Sequence, residues 1–398
     1  MHALVIVQQL LRSCCPRIHA ARLKVMLSAV AAAVRGRRLA LTELGRALLS
    51  AARVKHNIKR IDRLLGNRHL ALERVEVYQT LARRLVGTRC EPLIVVDWSD
   101  LAPDRRWQLL RAAMPIGGRC LTLYEEVHPL ARFGNPHVHR AFLHKLKALL
   151  PEGVKPILIT DAGFRAPWFK NVNHLGWHWI GRIRNRTYLR PQGAATWIGC
   201  KHLYRQARPR PQALGAYEVV RSNPVTCHLY LIKRPKKHRI HKSVFGQRLH
   251  GNQSLKQARA QREPWLLAAS LSLAHLKAAE IVNHYATRMQ IEEAFRDLKC
   301  ARYGLGFELN GSRSRERLAA LLLIALLSFF VLWLIGSQAL ARGLQFHYQS
   351  NTRRTRSVLS VFSLAAQLVR RTTDQLLASD LPHLVLPIRP PLPLCYAL

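Results

Sequence analysis

The chain has 398 residues, and its 63 Lys and Arg against 22 Asp and Glu give a formal net charge of +41. A charge of this size, spread over the whole chain, favours a polyanionic partner and is typical of a nucleic-acid-binding protein. Hydrophobic residues make up 49% of the sequence, which excludes a disordered chain, and the length allows two or three domains.

The cysteines and the N-terminus bear on the cellular compartment. None of the eight cysteines forms a CxxC pair, so zinc-ligand spacing is absent. A disulfide framework is not expected at this length, and a reducing cytoplasm fits best. The opening MHALVIVQQLLRSCCPR lacks a basic lead and a small-residue cleavage site, so we expect a first helix and not a signal peptide.

The first ninety residues have helical patterns, among which one helix carries a basic stripe. The stripe lies in KHNIKRIDRLLGN, where cations recur at three- and four-residue intervals on one predicted helix face, as a groove-entering helix requires. A solvated basic helix on any protein has the same pattern. The candidate DNA-binding residues in this stripe are Lys55, Lys59, Arg60 and Arg63.

The next segment alternates predicted strands with one helix. CEPLIVVDWSD contains an apolar strand ending in Asp97, and two further strands follow, joined at Gly117-Gly118. HVHRAFLHKLKALLP is an amphipathic helix, and KPILITDAGF is another apolar strand, which ends in Asp161. Strands followed by a helix and a strand predict an α/β fold in which two strands each end in an aspartate.

Residues 182–262 differ in composition from the segment before them. Short strand candidates alternate there with Pro, Gly and dense Lys and Arg, which predicts a small, largely β insertion with a phosphate-facing surface. A strand resumes at EPWLLAASLSL, and a long helical segment starts near Lys277. The C-terminus becomes Pro-rich (LPHLVLPIRPPLPL) and is expected to be irregular.

The run LAALLLIALLSFFVLWLI, from Leu318 to Ile335, has two interpretations. As a helix it would extend about 27 Å, close to the thickness of a bilayer core. A helix buried on all sides of a large domain has the same composition. We predict the buried helix, because the run follows directly on a charged helix, and we expect no membrane partner.

The charged helix contains two adjacent glutamates, in YATRMQIEEAFRDLK. At 100° per residue one narrow polar face carries Glu292, whereas Glu293 lies about 80° from Tyr285 and outside that face. Ion-paired surface helices share this spacing, but apolar side chains border the face here, which a freely solvated face does not need. The residues on the face are Tyr285, Arg288, Glu292, Arg296 and Lys299.

Asp97, Asp161 and Glu292 come from three separate elements of this basic chain. Carboxylates are natural ligands of Mg²⁺, and three of them can hold two ions about 3.5–4 Å apart for phosphoryl transfer. A single aspartate after a strand is weak evidence, since α/β strands often end in Asp. The combination of all three acids with the charge of +41 predicts a metal-dependent enzyme that acts on nucleic acid.

The sequence resembles the bacterial insertion-sequence transposases of the D-D-E class. It is most similar to the cut-and-paste group of the tetracycline- and kanamycin-resistance composite transposons. Tyr285, Arg288, Glu292 and Lys299 match the spacing of that group's Y-R-E-K signature, and VVDWSD and ITDAGF match its two aspartate blocks. LTELGR, KHNIKRIDRLLGN and YGLG are also similar, and the likeness covers roughly residues 1–370.

The resemblance implies an α/β fold with a ribonuclease-H-like catalytic core, a mostly-β insertion and helical flanking regions. It assigns residues 1–90 to a helical DNA-binding region, 91–181 and 263–340 to the core, 182–262 to the β-rich basic insertion, and 341–398 to a C-terminal helical region with a Pro-rich tail. The three acids would be catalytic and bind two Mg²⁺, for which Mn²⁺ can substitute.

The resemblance also assigns DNA contacts. Double-stranded DNA, as terminal inverted repeats and as target, would be the partner, and the chain would self-associate in a synaptic complex. Tyr285, Arg288 and Lys299 would contact end phosphates, and Arg296 shares their face. Trp265 matches a tryptophan that holds a flipped base, and Arg182 matches a base-contacting arginine. A core aromatic is the alternative for Trp265.

Two other functions stay open at this point. A non-catalytic DNA-binding protein, or a transposase copy that no longer cuts, would keep the charge without needing three converging acids. A membrane-anchored basic protein rests on the apolar run alone.

Overall fold

The computed structural model describes residues 2–371 except 185, 236–246, 248–250, 253–254 and 256–262. The Pro-rich tail and most of the stretch 236–262 therefore lie outside the described residues. Residues 2–86 are helical, as predicted. Their helices are α1 (His2–Cys14), α2 (Ala20–Gly36), α3 (Leu41–Arg46), α4 (Val54–Leu65) and α5 (Leu70–Val86).

A mixed sheet follows, whose strands are numbered β1 to β10 in chain order and whose ranges are given below. Within the described part of the chain the strands lie in the order β3-β2-β1-β4-β5-β10-β9-β8-β6-β7. The first three strands pair antiparallel, while β1, β4 and β5 pair parallel. The strands of this half are β1 (Leu93–Asp100), β2 (Trp107–Pro115), β3 (Cys120–Pro129), β4 (Ile157–Thr160) and β5 (His178–Ile183).

Local signals in the sequence explain the turns of this half. Gly117 and Gly118 both have positive φ, 78° and 89°, which allows the tight β2–β3 connection. Helix α6 (Pro136–Leu149) begins with Asn135, whose side chain accepts hydrogen bonds from the backbone of His137 and Val138, and has Pro136 in its first turn. Helix α7 (Ala166–His174) joins β4 to β5. The predicted order of strands and helix is confirmed.

The predicted β insertion extends the same sheet. Strand β10 pairs with β5 on one side and with β9 on the other, so the strands of the insertion continue the sheet beyond the first half. The strands involved are β6 (Tyr188–Pro191), β7 (Ile198–Gly199), β8 (Gln212–Val219), β9 (Val225–Ile232) and β10 (Trp265–Ala269).

The apolar run lies in α10 (Arg315–Ala341), which is long and apolar enough to cross a membrane by length and composition. In the fold, 89% of its 18-residue apolar window is buried. Helices α2, α4, α5 and α11 (Val361–Arg371) and strand β3 pack around it. A helix that is apolar all round needs contacts all round, and this one obtains them within the chain.

The helix predicted to run without interruption through 285–299 is two helices, α8 (Ala278–Ala286) and α9 (Met289–Lys299). At the junction the backbone N–H groups of Thr287, Arg288 and Gln290 donate to carbonyls three residues back. The Thr287 hydroxyl also donates to the carbonyl of His284. These tighter turns change the angle per residue, so the helical wheel holds for α9 but not across the junction.

The basic helix α4 is positioned by a close contact with α3. A Cβ added to Gly45 would lie 2.6 Å from Cα of Ile58, so only glycine lets the two helices approach this closely. The buried side chains of α4, including Ile61 and Leu64, join the cluster that contains α10 and the sheet. The packing therefore fixes which face of α4 is left to solvent.

We expect Gly45→Ala to destabilise the protein by about 1–3 kcal/mol, because the new methyl overlaps the Ile58 backbone and forces α3 and α4 apart. Urea unfolding of the full chain measures the change. Gly36→Ala is the matched control: its Cβ would have 3.7 Å to the nearest atom, at the end of α2, and should be neutral. Equal stability of both variants would contradict the close contact.

Candidate active site on the central strands

The parallel pairing of β1 with β4 aligns two aspartates. The register sets Val95 opposite Ile159, and extending it by two residues sets Asp97 opposite Asp161. Asp161 directly follows β4, as predicted, and its Oδ1 accepts a hydrogen bond from the backbone N–H of Gly163, 2.8 Å away. Asp97 does not end its strand, because β1 continues to Asp100 through pairing with β2.

Helix α9 packs on β1, β2 and β3 and brings Glu292 to these aspartates. Arg288, just before the helix, lies between the acids. One guanidinium nitrogen is 3.4 Å from Oδ2 of Asp97 and the other is 2.5 Å from Oε1 of Glu292. The Asp97 and Arg288 side chains are each only 14% exposed, whereas Glu292 is 45% exposed. The structure thus connects Asp97 and Glu292, 195 positions apart in the sequence, through one arginine.

Asp97 is in an environment that disfavours its charged form. Burial, and then the neighbouring carboxylate of Asp161, raise the pKa of Asp97 to about 7, although Arg288 opposes the shift. Besides the contact from Arg288, the carboxylate accepts a hydrogen bond from the backbone N–H of Trp98 to Oδ1 at 2.8 Å. The site therefore favours the protonated form of Asp97, and a cation bound beside it would lower that pKa and favour the carboxylate.

The two adjacent glutamates differ as the helical wheel predicts. Glu293 points away from Asp97 and lies near Arg119 and Arg296. Arg119 also pairs with the buried Asp297. Arg296, predicted to share the face of Glu292, is ion-paired with Glu293 instead and is half exposed.

Lys299 anchors the far end of α9 to β1. Its ammonium donates to the Ser99 hydroxyl at 2.9 Å and to the carbonyl of Asp100 at 3.0 Å. Ser99 and Asp97 are two residues apart on the strand and so face the same side, toward α9. The indole of Trp98 faces the other side, where it donates to Nε2 of His139 at 2.9 Å. Lys299 thus holds α9 in register along the strand that carries Asp97.

Three further predicted residues meet at the junction of β10 and α8. The ring of Trp265 is 5.0 Å from that of Tyr285, edge to face, and the guanidinium of Arg234 lies 4.6 Å above the Trp265 ring. Tyr285 is buried, with 3% of its surface exposed, and burial raises its pKa. Burial also lowers the pKa of Arg182, whose Nε is buried without a hydrogen-bond partner.

The predicted basic stripe lies on the exposed face of α4. Lys59, Arg60 and Arg63 border a groove of about 450 Å³ between α4 and the start of α2, with His19 and Arg22 on the opposite wall. Lys59 is paired with Asp62 at 2.9 Å, and Asp62 is also held by Arg317 of α10. The stripe residues, all exposed, are Lys55, Lys59, Arg60 and Arg63.

The sequence prediction missed a buried ion pair beside the site. Arg111 is opposite Asp97 in the β1–β2 register and pairs at 2.7 Å with Glu125 of β3, both side chains being almost fully buried. The Tyr78 hydroxyl donates to Glu125, and Phe295 of α9 lies over the Arg111 guanidinium. A single arginine within the apolar strand LLRAAM was the signal for this pair.

The donor chemistry of the three acids fits a divalent cation, because the carboxyl groups of Asp97 and Asp161 lie close enough for one to raise the pKa of the other. No group of three or more His, Cys, Asp or Glu side chains with metal-binding geometry occurs within the described residues. The Arg288 guanidinium lies between Asp97 and Glu292. An arginine that pairs with both acids supplies the positive charge that a cation would otherwise provide.

Comparison with known proteins identifies the family. A family model described as the transposase DDE domain matches residues 89–331, more than half of the chain. The chain therefore belongs to the DDE transposase family and is a DNA transposase, which confirms that part of the resemblance.

A solved transposase structure is also weakly similar to the chain. A cryo-EM structure of the piggyBac transposase synaptic complex with hairpin DNA is 11% identical, with a TM-score of 0.43, and the match covers 91% of this chain and 76% of that one. At this level of similarity the match supports no conclusion on mechanism. No curated protein matches the chain.

The raised pKa of Asp97 predicts a pH-dependent stability. Between about pH 4 and pH 7 the unfolded chain has Asp97 ionised while the folded chain keeps it protonated, so the free energy of unfolding falls as the pH rises. Asp97→Asn should therefore raise the melting temperature in chelator above pH 7 and change it little at pH 4. Differential scanning fluorimetry measures this.

Asp104→Asn is the control, because Asp104 is exposed and its pKa is lowered by hydrogen bonds from Arg106. It should not stabilise the protein above pH 7. If Asp97→Asn left the melting temperature above pH 7 unchanged or lowered it, the electrostatic description of the site would be contradicted.

Proposed function

We propose that the chain is a bacterial insertion-sequence transposase of the Y-R-E-K group that moves DNA by a cut-and-paste route. In this proposal it binds terminal inverted repeats, nicks and hairpins the transposon ends, and joins them to target DNA. The carrying observation is the proximity of Asp97 on β1 to Asp161 just after the parallel strand β4, together with the link from Asp97 through Arg288 to Glu292.

Asp97, Asp161 and Glu292 would hold two Mg²⁺ ions, and Mn²⁺ could substitute. When bound, such ions activate the attacking oxygen and stabilise the leaving oxygen of an in-line phosphoryl transfer. DDE transposases generally use divalent metals, and the two neighbouring carboxyl groups of Asp97 and Asp161, which raise the pKa of Asp97, support the same assignment here.

Arg288 and Lys299 have distinct parts in this proposal. The Arg288 guanidinium presents several N–H donors beside the acids. It would donate to a phosphate of the scissile strand when Asp97 and Glu292 bind divalent metal ions instead of the arginine. Lys299 holds α9 against β1 through hydrogen bonds to Ser99 and the Asp100 carbonyl. These contacts would prevent α9 from sliding along β1 and so keep Glu292 close to Asp97. The half-exposed Arg296 would extend the phosphate-binding surface along the helix.

The DNA hairpin at the transposon end would be bound by Trp265, Tyr285 and Arg182. The Trp265 ring is partly exposed and has a cation over one face, an arrangement in which an unpaired base could take the place of the guanidinium. Arg182 has a buried, unpartnered Nε close by, which needs an acceptor. Tyr285 would support the indole from its edge rather than reach a phosphate directly, because it is buried.

The remaining assignments follow the same division of the chain. The exposed cations of α4 would read the inverted repeat, the core would be ribonuclease-H-like over 91–181 and 263–340, and the β-rich stretch 182–262 would face the DNA. The antiparallel–parallel arrangement of β3-β2-β1-β4-β5 supports the core assignment. The enzyme would act in the cytoplasm and self-associate when two ends are brought together.

Glu292→Gln should abolish cleavage of a transposon-end duplex in Mg²⁺, with end binding within about twofold of wild type. The substitution removes one metal ligand and leaves the phosphate-binding cations in place. Denaturing gels measure nicks and hairpins, and fluorescence anisotropy measures binding.

Glu293→Gln is the matched control on the neighbouring residue, and it should keep most of the activity, because Glu293 pairs with Arg119 and Arg296. Equal loss from both glutamines would disprove the assignment of Glu292. A wild-type chain that binds its own ends but never cuts them would indicate a DNA-binding protein or an inactive copy.

Trp265→Ala should permit the first nick and reduce hairpin yield, since stacking of one base contributes about 1–3 kcal/mol. Trp265→Phe keeps an aromatic ring at the same strand position and should retain an intermediate yield. Single-turnover gels that separate nicked from hairpin product measure both. Normal hairpin yield in Trp265→Ala would return the indole to a purely structural role.

A further inference from the structure

A second strongly basic surface follows α10, and none of the assignments above uses it. The loop Gln349–Val358, here called the arginine loop, carries Arg353, Arg354 and Arg356, and its residues are exposed except Gln349, which is half-buried. No salt bridge to these arginines is found among the described residues. The sequence contains no Asp or Glu between Glu316 and Asp374, so the loop and its flanking segments are positively charged.

The arginine loop is held in shape by one side chain. The Gln349 amide nitrogen donates to the carbonyls of Arg353 and Arg356, and its oxygen accepts from the backbone N–H of Val358 at 3.0 Å. The Arg354 side chain donates to the carbonyl of Asn351 at 3.2 Å. A loop that is already ordered loses less conformational entropy when it binds, so these contacts prepare its cations for a ligand.

The flanks of the loop fix its place in the fold. Tyr348 and Leu359 pack beside Ala339, near the end of α10. The start of α10 is held to α4 by Arg317, whose guanidinium lies 2.8 Å from Asp62. Since α10 has 27 residues, the two ends are about 40 Å apart. The arginine loop is therefore a separate surface from the basic stripe of α4.

We propose that the arginine loop binds the phosphate backbone of double-stranded DNA without reading its sequence. Three guanidinium groups supply paired N–H donors that match phosphate oxygens, and the loop also exposes the hydroxyl of Thr355. Phosphate contacts from an exposed loop position DNA and carry no base information. The inference rests on the proposed function only in that duplex DNA is the partner.

A membrane surface is the competing partner, because clustered arginines also bind anionic lipid headgroups. DNA is favoured over a membrane because 89% of the apolar window of the neighbouring helix α10 is buried within the chain. This surface is not available to insert into a bilayer. Anionic vesicles therefore serve as one arm of the experiment.

The test is the salt dependence of DNA binding by the full chain carrying Arg353→Gln, Arg354→Gln and Arg356→Gln together. Fluorescence anisotropy is measured with an inverted-repeat duplex and a scrambled duplex of equal length over a range of salt. Counterion release predicts that the slope of log affinity against log salt becomes shallower by about 0.9 for each lost phosphate contact. We expect the slope to become shallower by at least about 0.9, the loss of one phosphate contact. We also expect affinity at low salt to fall about tenfold on both duplexes.

The control removes the same charge from another surface through Arg132→Gln, Arg140→Gln and Lys147→Gln, which are exposed on and beside α6. It should keep the wild-type slope. Gln349→Ala retains all three loop arginines but releases the loop, and should lose part of the affinity on both duplexes.

The proposal is overturned if the loop variant and the α6 variant give the same slope, or if the loop variant weakens only the inverted-repeat duplex. It is also overturned if the loop arginines matter only for phosphatidylserine vesicles. Loss of the proposed function would look different: wild-type chain would then fail to cut its own ends, whatever the salt slope of the loop variant.

Discussion

The parallel pairing of β1 with β4 is the constraint on which the candidate site depends. Its backbone hydrogen bonds end at Val95 and Ile159, two residues before each aspartate, so the two carboxyl groups are brought close whether or not their mutual repulsion favours it. Burial then adds to the repulsion and raises the pKa of Asp97. Every other charged group at the site can be understood as a response to this forced proximity. Arg288 balances part of the charge, and divalent cations would balance the rest.

The supporting structure around this pair is rigid where position matters. Helix α9 is fixed to the sheet at both ends, by Arg288 near Asp97 and by Lys299 on Ser99, and Phe295 between them packs over Arg111. The buried α10 lies behind the sheet and connects it to α4 through Arg317. A site whose acids come from two strands and a helix keeps its geometry only if the helix cannot slide, and these contacts oppose sliding.

Positive charge is arranged in several places with different accessibility. Arg288 is largely buried and pairs with the acids of the site, and Arg111 is buried and pairs with Glu125, whereas the cations of α4 and of the arginine loop are exposed near opposite ends of α10. A long duplex needs contacts at more than one place to be held in a fixed orientation, and exposed cations near the two ends of one 27-residue helix would provide them.

The sequence by itself determined the elements whose signals are local. Apolar β-branched runs predicted β1 and β4, Gly117-Gly118 predicted the hairpin, and the spacing within α9 distinguished Glu292 from Glu293, because each depends on neighbouring residues alone. Tertiary structure decided what depends on distant partners. The helix breaks at Thr287, β1 extends past Asp97 because β2 pairs with it, and Arg296 pairs with Glu293. The buried Arg111–Glu125 pair and the position of Arg288 between two acids required strand register and helix packing, which no local pattern encodes.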